Sequence, residues 1–322
     1  MGKGEAMSYN LSEITYPSTD GIHTIYAEIY TPKHCAAKGI VQLAHGMVDY
    51  VGRYEALAES LTEAGYIFAG NHHLGHGKSV KNEDEFGYFA KSGGVDYVIE
   101  DMHRMNKQLR EMFPTLPIII FGHSMGSFLT RLYVEKYPHS IKGAVIHGTA
   151  GPNPALPMGK LLAKLIIAFR GGYHKSNILK GLAIGAYQKK YKKEGKNAWL
   201  STDAEMIADH DDDAFSNFDF TASGYYDLFT MLHACNKKAW FENYPKNLST
   251  LVMAGEDDPV GANGKGPRYV YKNLLIKGAQ DVSLKMYPDD RHELFKEADR
   301  EKVFSDLVMW LNEVVEKTRV DF

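Results

Sequence analysis

Two rhythms of apolar residues run along this chain, and the switching between them sets out its elements. Short apolar runs at 39–44, 66–70, 118–121, 141–147, 248–254 and 282–287 predict brief, buried strands. Between them apolar positions recur every three or four residues, which predicts helices over 54–64, 95–112, 125 to about 137, 266–276 and 298–316. The second of these puts Val98, Met102, Met105 and Leu109 on one face and meets Pro114 just beyond its end. Alternation of polar and apolar positions at 10–31, around the turn signal Pro17-Ser-Thr-Asp-Gly21, predicts an antiparallel hairpin ahead of the main sheet. Strands alternating with helices call for an α/β architecture, a mostly parallel central sheet flanked by helices.

The rhythm lapses from 151 to 238. That stretch holds Pro and Gly breaks, an apolar helical segment at 158–169, a lysine run at 188–196, an acidic cluster at 209–213 and an aromatic stretch at 215–229, but no buried parallel strand. Because the strand–helix rhythm resumes afterwards, residues 1–150 and 239–322 are read as one core and 151–238 as an inserted helical cap, or lid.

One junction carries chemistry. The run Ile118-Ile-Ile-Phe121 leads straight into Gly122-His123-Ser124-Met125-Gly126 and then a helical pattern, the strand–turn–helix context of a nucleophile elbow. A serine hydroxyl needs a base, and the base needs an orienting group. Both should follow later strands, on the same sheet edge as Ser124. The loop after 251–254 offers Glu256, Asp257 and Asp258, and the loop after 284–287 offers His292. This gives Ser124, Asp258 and His292 in the order that the elbow requires, with Asp257 and Glu256 as alternative acids; Asp289 and Asp290 lie close to His292 and stay open. An oxyanion hole needs an amide after the nucleophile, that of Met125, and one from an early loop, for which Met47 in His45-Gly46-Met47 is the candidate. His45, Gly46 and His123 stand beside these as substrate-contact candidates, although His45 reads foremost as a residue that shapes its loop through hydrogen bonds.

Composition narrows the setting. A formal net charge of −3 over 322 residues gives no bulk attraction to nucleic acid or to an anionic membrane. The two cysteines, Cys35 and Cys235, are far apart and are expected to be buried small hydrophobes. His72, His73 and His76 lack a carboxylate or cysteine at ligand spacing, so they read as a turn-stabilising network and no metal is expected. The first seven residues lack the apolar core of a signal peptide and no run is long enough to span a bilayer, so a cytoplasmic protein is expected.

With the elbow, His45-Gly46-Met47, Gly75-His76-Gly77 and the late Asp258 and His292 in place, the chain resembles the α/β-hydrolase family of monoacylglycerol lipases and lysophospholipases, which includes serine aminopeptidase-like members. The resemblance implies the α/β-hydrolase fold, ester hydrolysis through an acyl-enzyme without a cofactor, and a lid over an acyl pocket. In the family the early loop commonly reads Asp-x-Arg-Gly-His-Gly; here His72 and Leu74 replace the Asp and Arg, which questions the ion pair that loop usually anchors. The expected substrate is a small or single-chain lipid ester, of monoacylglycerol or lysophospholipid type, with at most transient membrane contact through the cap. Leu161, Leu162, Leu165, Ile166 and Phe169, with Tyr225, Tyr226, Leu228 and Phe229, are the candidates for a lipophilic pocket; Leu162, Ile166 and Tyr226 are its named contacts. A broad carboxylesterase or thioesterase, an aminopeptidase, and a silent ligand-binding homologue are the alternatives. Ser124 at the elbow excludes epoxide hydrolases and haloalkane dehalogenases, which need a carboxylate there.

Overall fold

A computed structural model describes residues 7–320; residues 1–6, on which the signal-peptide reading falls, lie outside it. The hairpin of β1 (Tyr9–Pro17) and β2 (Thr24–Pro32) is part of the main sheet rather than an annex to it. Its second strand pairs antiparallel with β4 (Tyr66–Asn71), Ala27 opposite Asn71 and Tyr30 opposite Phe68. From β4 onward every pairing is parallel, through β3 (Gly39–Ala44), β5 (Ile118–His123), β6 (Gly143–His147), β7 (Ser249–Gly255) and β8 (Val282–Tyr287). The spatial order is β1-β2-β4-β3-β5-β6-β7-β8, the eight-stranded sheet of an α/β-hydrolase fold.

β3 lies between β4 and β5, so the order of connection reverses there and a crevice opens beyond the carboxyl ends of β3 and β5. β3, β4, β5 and β6 are buried at every position, because helices cover both faces of the sheet. On one face α2 (Gly94–Met112) and α3 (Met125–Lys136) bury Met102, Met105, Leu109 and Leu129. On the other, α1 (Glu55–Glu63) and the last helix of the chain (Arg300–Val320) bury Leu57, Leu61, Leu307 and Leu311.

Between β6 and β7 lie α4 (Leu156–Arg170), α5 (Asn177–Lys190), α6 (Ala204–Asp212), α7 (Ala222–Ala234) and α8 (Lys238–Asn243). α7 is the buried member, with Tyr225, Leu228, Phe229 and Met231 packed between α4 and the core helices. Arg131 of α3, fully buried, ties its end down by donating to the carbonyls of Cys235 and Ala150 and stacking on Trp240. α9 (Lys265–Ile276) links β7 to β8, and the last helix, α10, closes the chain.

One expectation about the cysteines is corrected. Cys235 is buried, but Cys35 is exposed, because it sits in the surface connection from β2 to β3 where no layer covers it. Among the described residues no helix is long and apolar enough to cross a membrane.

Candidate active site

Ser124 is the residue between β5 and α3, and its backbone sits at φ 53°, ψ −119°, a conformation that non-glycine residues rarely adopt. Such strain costs about 1–3 kcal/mol and persists only where the surroundings enforce it. Here Ser124 N–H donates to the His147 carbonyl on β6 at 3.0 Å, and the Ser124 carbonyl accepts from Ser127 N–H at 2.9 Å. Glycine is obligatory beside it: a Cβ on Gly126 would lie 1.8 Å from the Ala44 carbonyl oxygen, and one on Gly122 would lie 2.3 Å from the Gly126 oxygen. That contact presses the elbow against the end of β3.

The other two loops arrive from β7 and β8. His292 Nδ1 donates to Asp258 Oδ2 at 2.9 Å, and Asp258 Oδ1 accepts from Val260 N–H at 2.8 Å. Asp258 is fully buried and His292 nearly so, which makes this ion-pair-capable contact well screened from water. With its proton on Nδ1, His292 presents Nε2 as a free, buried lone pair with no protein partner. The two loops are stitched together, Asp257 N–H donating to the Asp290 carbonyl at 2.9 Å. None of the other acids is bonded to His292: Glu256 faces Arg268, and Asp257 offers its carbonyl to Tyr191. Burial and nearby Asp299 push the Asp290 carboxyl up to about 7.

Gly46, Met47, Val48, His123, Ser124 and His292 line one cavity of about 90 Å³. Gly46 packs directly on the elbow: a Cβ there would sit 3.4 Å from Ser124 Cβ, an ordinary contact distance. The loop is held from beneath by histidines in defined tautomers. His45 Nδ1 donates to the Gly46 carbonyl at 2.9 Å and its Nε2 accepts from His73 N–H at 3.0 Å. His76 Nδ1 donates to the Leu74 carbonyl at 3.0 Å and its Nε2 accepts from Val48 N–H at 3.3 Å. Both are fully buried, and burial pulls His76 down to about 4 and His45 well below the usual imidazole value. His72, where the resembled family carries Asp, accepts from Lys78 N–H at 2.9 Å through Nδ1 and donates to Glu28 through Nε2 at 3.3 Å. An imidazole therefore does there the amide-accepting work that a carboxylate can do. Among the described residues no group of three or more His, Cys, Asp or Glu is arranged to hold a metal.

Several expected contacts lie elsewhere. His45 supports the loop but does not line the cavity. Leu162, Ile166 and Tyr226 do not line it either: α4 lies along α7, and these three side chains are half-buried against the apolar cluster that α7 shares with the core. Leu161, Leu165 and Phe169, on the far side of α4, are 54%, 48% and 83% exposed. The cavity wall comes instead from α5, through Lys180, Ile184 and Gln188, and from two loops carrying Lys196, Asn197, Trp199 and Asn217. Trp199 is the residue that pattern reading missed. It is 8% exposed, and its ring centroid lies 5.2 Å from that of His292. Its segment is fastened to the His292 loop, Glu293 N–H donating to the Leu200 carbonyl at 2.7 Å and Glu297 accepting from Thr202 N–H at 2.8 Å. A lone tryptophan outside any periodic element carries no signal of this kind in the chain itself.

Residues 36–299 match the family described as serine aminopeptidase, S33. The chain is 26% identical to the monoacylglycerol lipase of Mycolicibacterium smegmatis over 95% of its own length and 98% of that protein. It is 23% identical to the monoglyceride lipase of Homo sapiens, covering 86% of this chain and 83% of the relative. Among solved structures, a thermostable carboxyl esterase from Bacillus coagulans, crystallised with glycerol, superposes with a TM-score of 0.88 at 29% identity, over 95% of this chain and 99% of that one.

Proposed function

The chain belongs to the serine aminopeptidase, S33 family of α/β-hydrolases and is a carboxylic ester hydrolase, and we propose that Ser124, Asp258 and His292 are its catalytic triad, acting on single-chain lipid esters of monoacylglycerol or lysophospholipid type. The observation that carries the triad is the buried His292–Asp258 hydrogen bond, which leaves Nε2 free in the cavity that the strained Ser124 also lines. In this reading His292 Nε2 takes the Ser124 proton as Oγ attacks the ester carbonyl. The tetrahedral oxyanion is held by the amides of Met47 and Met125, the latter at the positive end of α3. Collapse expels the alcohol with the proton from His292, and water repeats the sequence on the acyl-enzyme.

Residues 151–238 act as the cap. The exposed apolar side chains of α4 and α5, Met158, Leu161, Leu165, Phe169, Ile178 and Leu182, stand beside Lys160, Lys164 and Arg170 and fit a transient contact with a lipid surface from which a single acyl chain is drawn. Lipase relatives over nearly the whole chain support the same substrate class. One observation favours a second reading, a carboxylesterase of compact esters: the cavity above Ser124 is only about 90 Å³, and Lys180, Lys196, Asn197 and Asn217 add polar groups to a mainly apolar wall.

Hydrolysis of p-nitrophenyl esters from acetyl to palmitoyl, and of 1-acylglycerols, by wild type and Ser124→Ala decides between them. The lipase reading expects an optimum at medium or long chains and loss of about 10⁴-fold or more in the variant. An acetyl optimum moves the assignment to a compact-ester esterase, and an active Ser124→Ala overturns the triad.

A further inference from the structure

Beneath the triad lies a group of buried charges that ester chemistry does not consume. Arg53, in the 3₁₀ turn Val51–Tyr54 after the early loop, points its guanidinium at two carboxylates at once. Its Nη1 donates to Asp49 Oδ1 at 3.1 Å and to Glu293 Oε1 at 3.2 Å, and its Nη2 donates to Glu293 Oε2 at 2.9 Å. Arg53 and Glu293 are 240 positions apart in the chain, yet they form a two-pronged pair. Each carboxylate is tied to one half of the candidate reaction centre. Asp49 Oδ2 accepts from Gly46 N–H at 3.2 Å, and Gly46 is the residue before Met47. Glu293 is the residue after His292.

Tyr54 adds a second strut, donating to Asp49 Oδ2 at 2.6 Å with its oxygen 2.8 Å from His123 Nδ1; His123 Nε2 in turn lies 3.3 Å from the His292 carbonyl. The group thus touches the early loop, the elbow and the base loop.

Energetics argue that this is more than filler. With Lys296 beside them, the two carboxylates and the guanidinium form a buried cluster of four charges, and well-packed apolar side chains are commonly as stable as buried ion pairs. What a planar, bidentate fork supplies that apolar packing does not is direction. Direction matters here because the early loop is irregular, with Val48 at φ 56°, and because misplacing a catalytic group by an ångström costs about 100-fold in rate.

We propose that Arg53 is a positioning residue that holds the Met47 amide and the His292 base in one register, through Asp49 on one side and Glu293 on the other. This rests on the triad reading above.

The test is steady-state hydrolysis of the p-nitrophenyl ester that wild type turns over best, by Glu293→Gln, Asp49→Asn and the double variant. Each single variant is expected to lower kcat about 10- to 100-fold with KM within a factor of about three. The double variant is expected to lose little beyond the worse single, since either change already breaks the register. Wild-type kcat in both singles, a rise in KM with kcat intact, or losses that multiply would overturn the proposal. Near-UV circular dichroism and melting check that each variant folds. Where one does not, Arg53→Lys takes its place, because it keeps the charge between the carboxylates without the fork, and it should show the same loss in kcat. Fluorophosphonate labelling separates the two readings. If Ser124 of folded wild type is not labelled, the triad reading fails and takes this one with it; if it is labelled, and Glu293→Gln is labelled equally fast, this proposal alone fails.

Discussion

Asp49 accepts four hydrogen bonds inside the core, from Gly46, Tyr50, Arg53 and Tyr54, while α4 turns Met158, Leu161, Leu165 and Phe169 out to solvent. The loops around Ser124 are wired residue to residue by hydrogen bonds across the sheet edge, while His292 Nε2 is left without a protein partner. Helices α4 and α5 of the insertion pack on α7 and otherwise carry apolar surface that no described residue covers. The contrast separates two demands on an ester hydrolase. Bond-making tolerates displacements of well under an ångström, so its groups are locked by directional bonds. Meeting a greasy substrate calls for area, which is non-directional and needs no lock. Trp199 belongs to the first region by its ring contact with His292 and to the second by its place in the chain.

The comparison breaks most sharply at Asp258. Asp258→Asn keeps the shape but reverses the polarity of the contact to His292 Nδ1, and kcat is expected to fall by about 10³–10⁴ with the fold intact. A drop of less than tenfold in a chromogenic ester assay would show that another acid orients the base.

Acid should loosen the wired region before the outer helices. Burial lowers His76 and His123 to about 4, and holds His45, His73 and His147 well below the usual imidazole value. Their folded values lie below the unfolded value of about 6.5, so the unfolded chain binds protons that the folded one refuses. Stability from these five is present above about pH 6.5 and declines as pH falls toward 4. Asp227 and Asp290 oppose this, because burial raises both to about 7 and the folded state then holds protons that an unfolded carboxylate releases. The buried histidines outnumber the two acids, so stability is expected to fall on balance as the pH drops from about 6.5 toward 4. Urea midpoints at pH 7 and pH 5.5 measure it, and equal midpoints would show that the histidines are not held neutral.

The smallest effect is expected on α4. Leu165→Ser with Phe169→Ser should change stability by no more than about 0.5 kcal/mol, since both side chains already face water. Turnover of a soluble short-chain ester should be unchanged, while turnover of an acylglycerol presented in vesicles falls several-fold. Equal losses on both substrates would tie α4 to the wired region instead.

Reading the chain alone went furthest where neighbours in sequence are neighbours in space. The β5–Ser124–α3 junction is set by a short apolar run, two glycines with no room for a side chain, and a helical period, all within twenty residues. The strand rhythm around β3, β6, β7 and β8 put the candidates Asp258 and His292 on one sheet edge for the same reason, because parallel strands in a right-handed α/β fold all end there. What the chain did not disclose depends on contacts between distant segments. The Arg53–Glu293 pair, the contact of His72 with Glu28, the exposure of Cys35, and the position of Trp199 over His292 have no local pattern. The apolar stripe of α4 shows the limit plainly. Periodicity says that Leu162 and Leu165 lie on a helix, but which side meets α7 and which meets water is decided by packing, and the same hydrophobic free energy is satisfied by burial under a neighbour or by a surface yet to arrive.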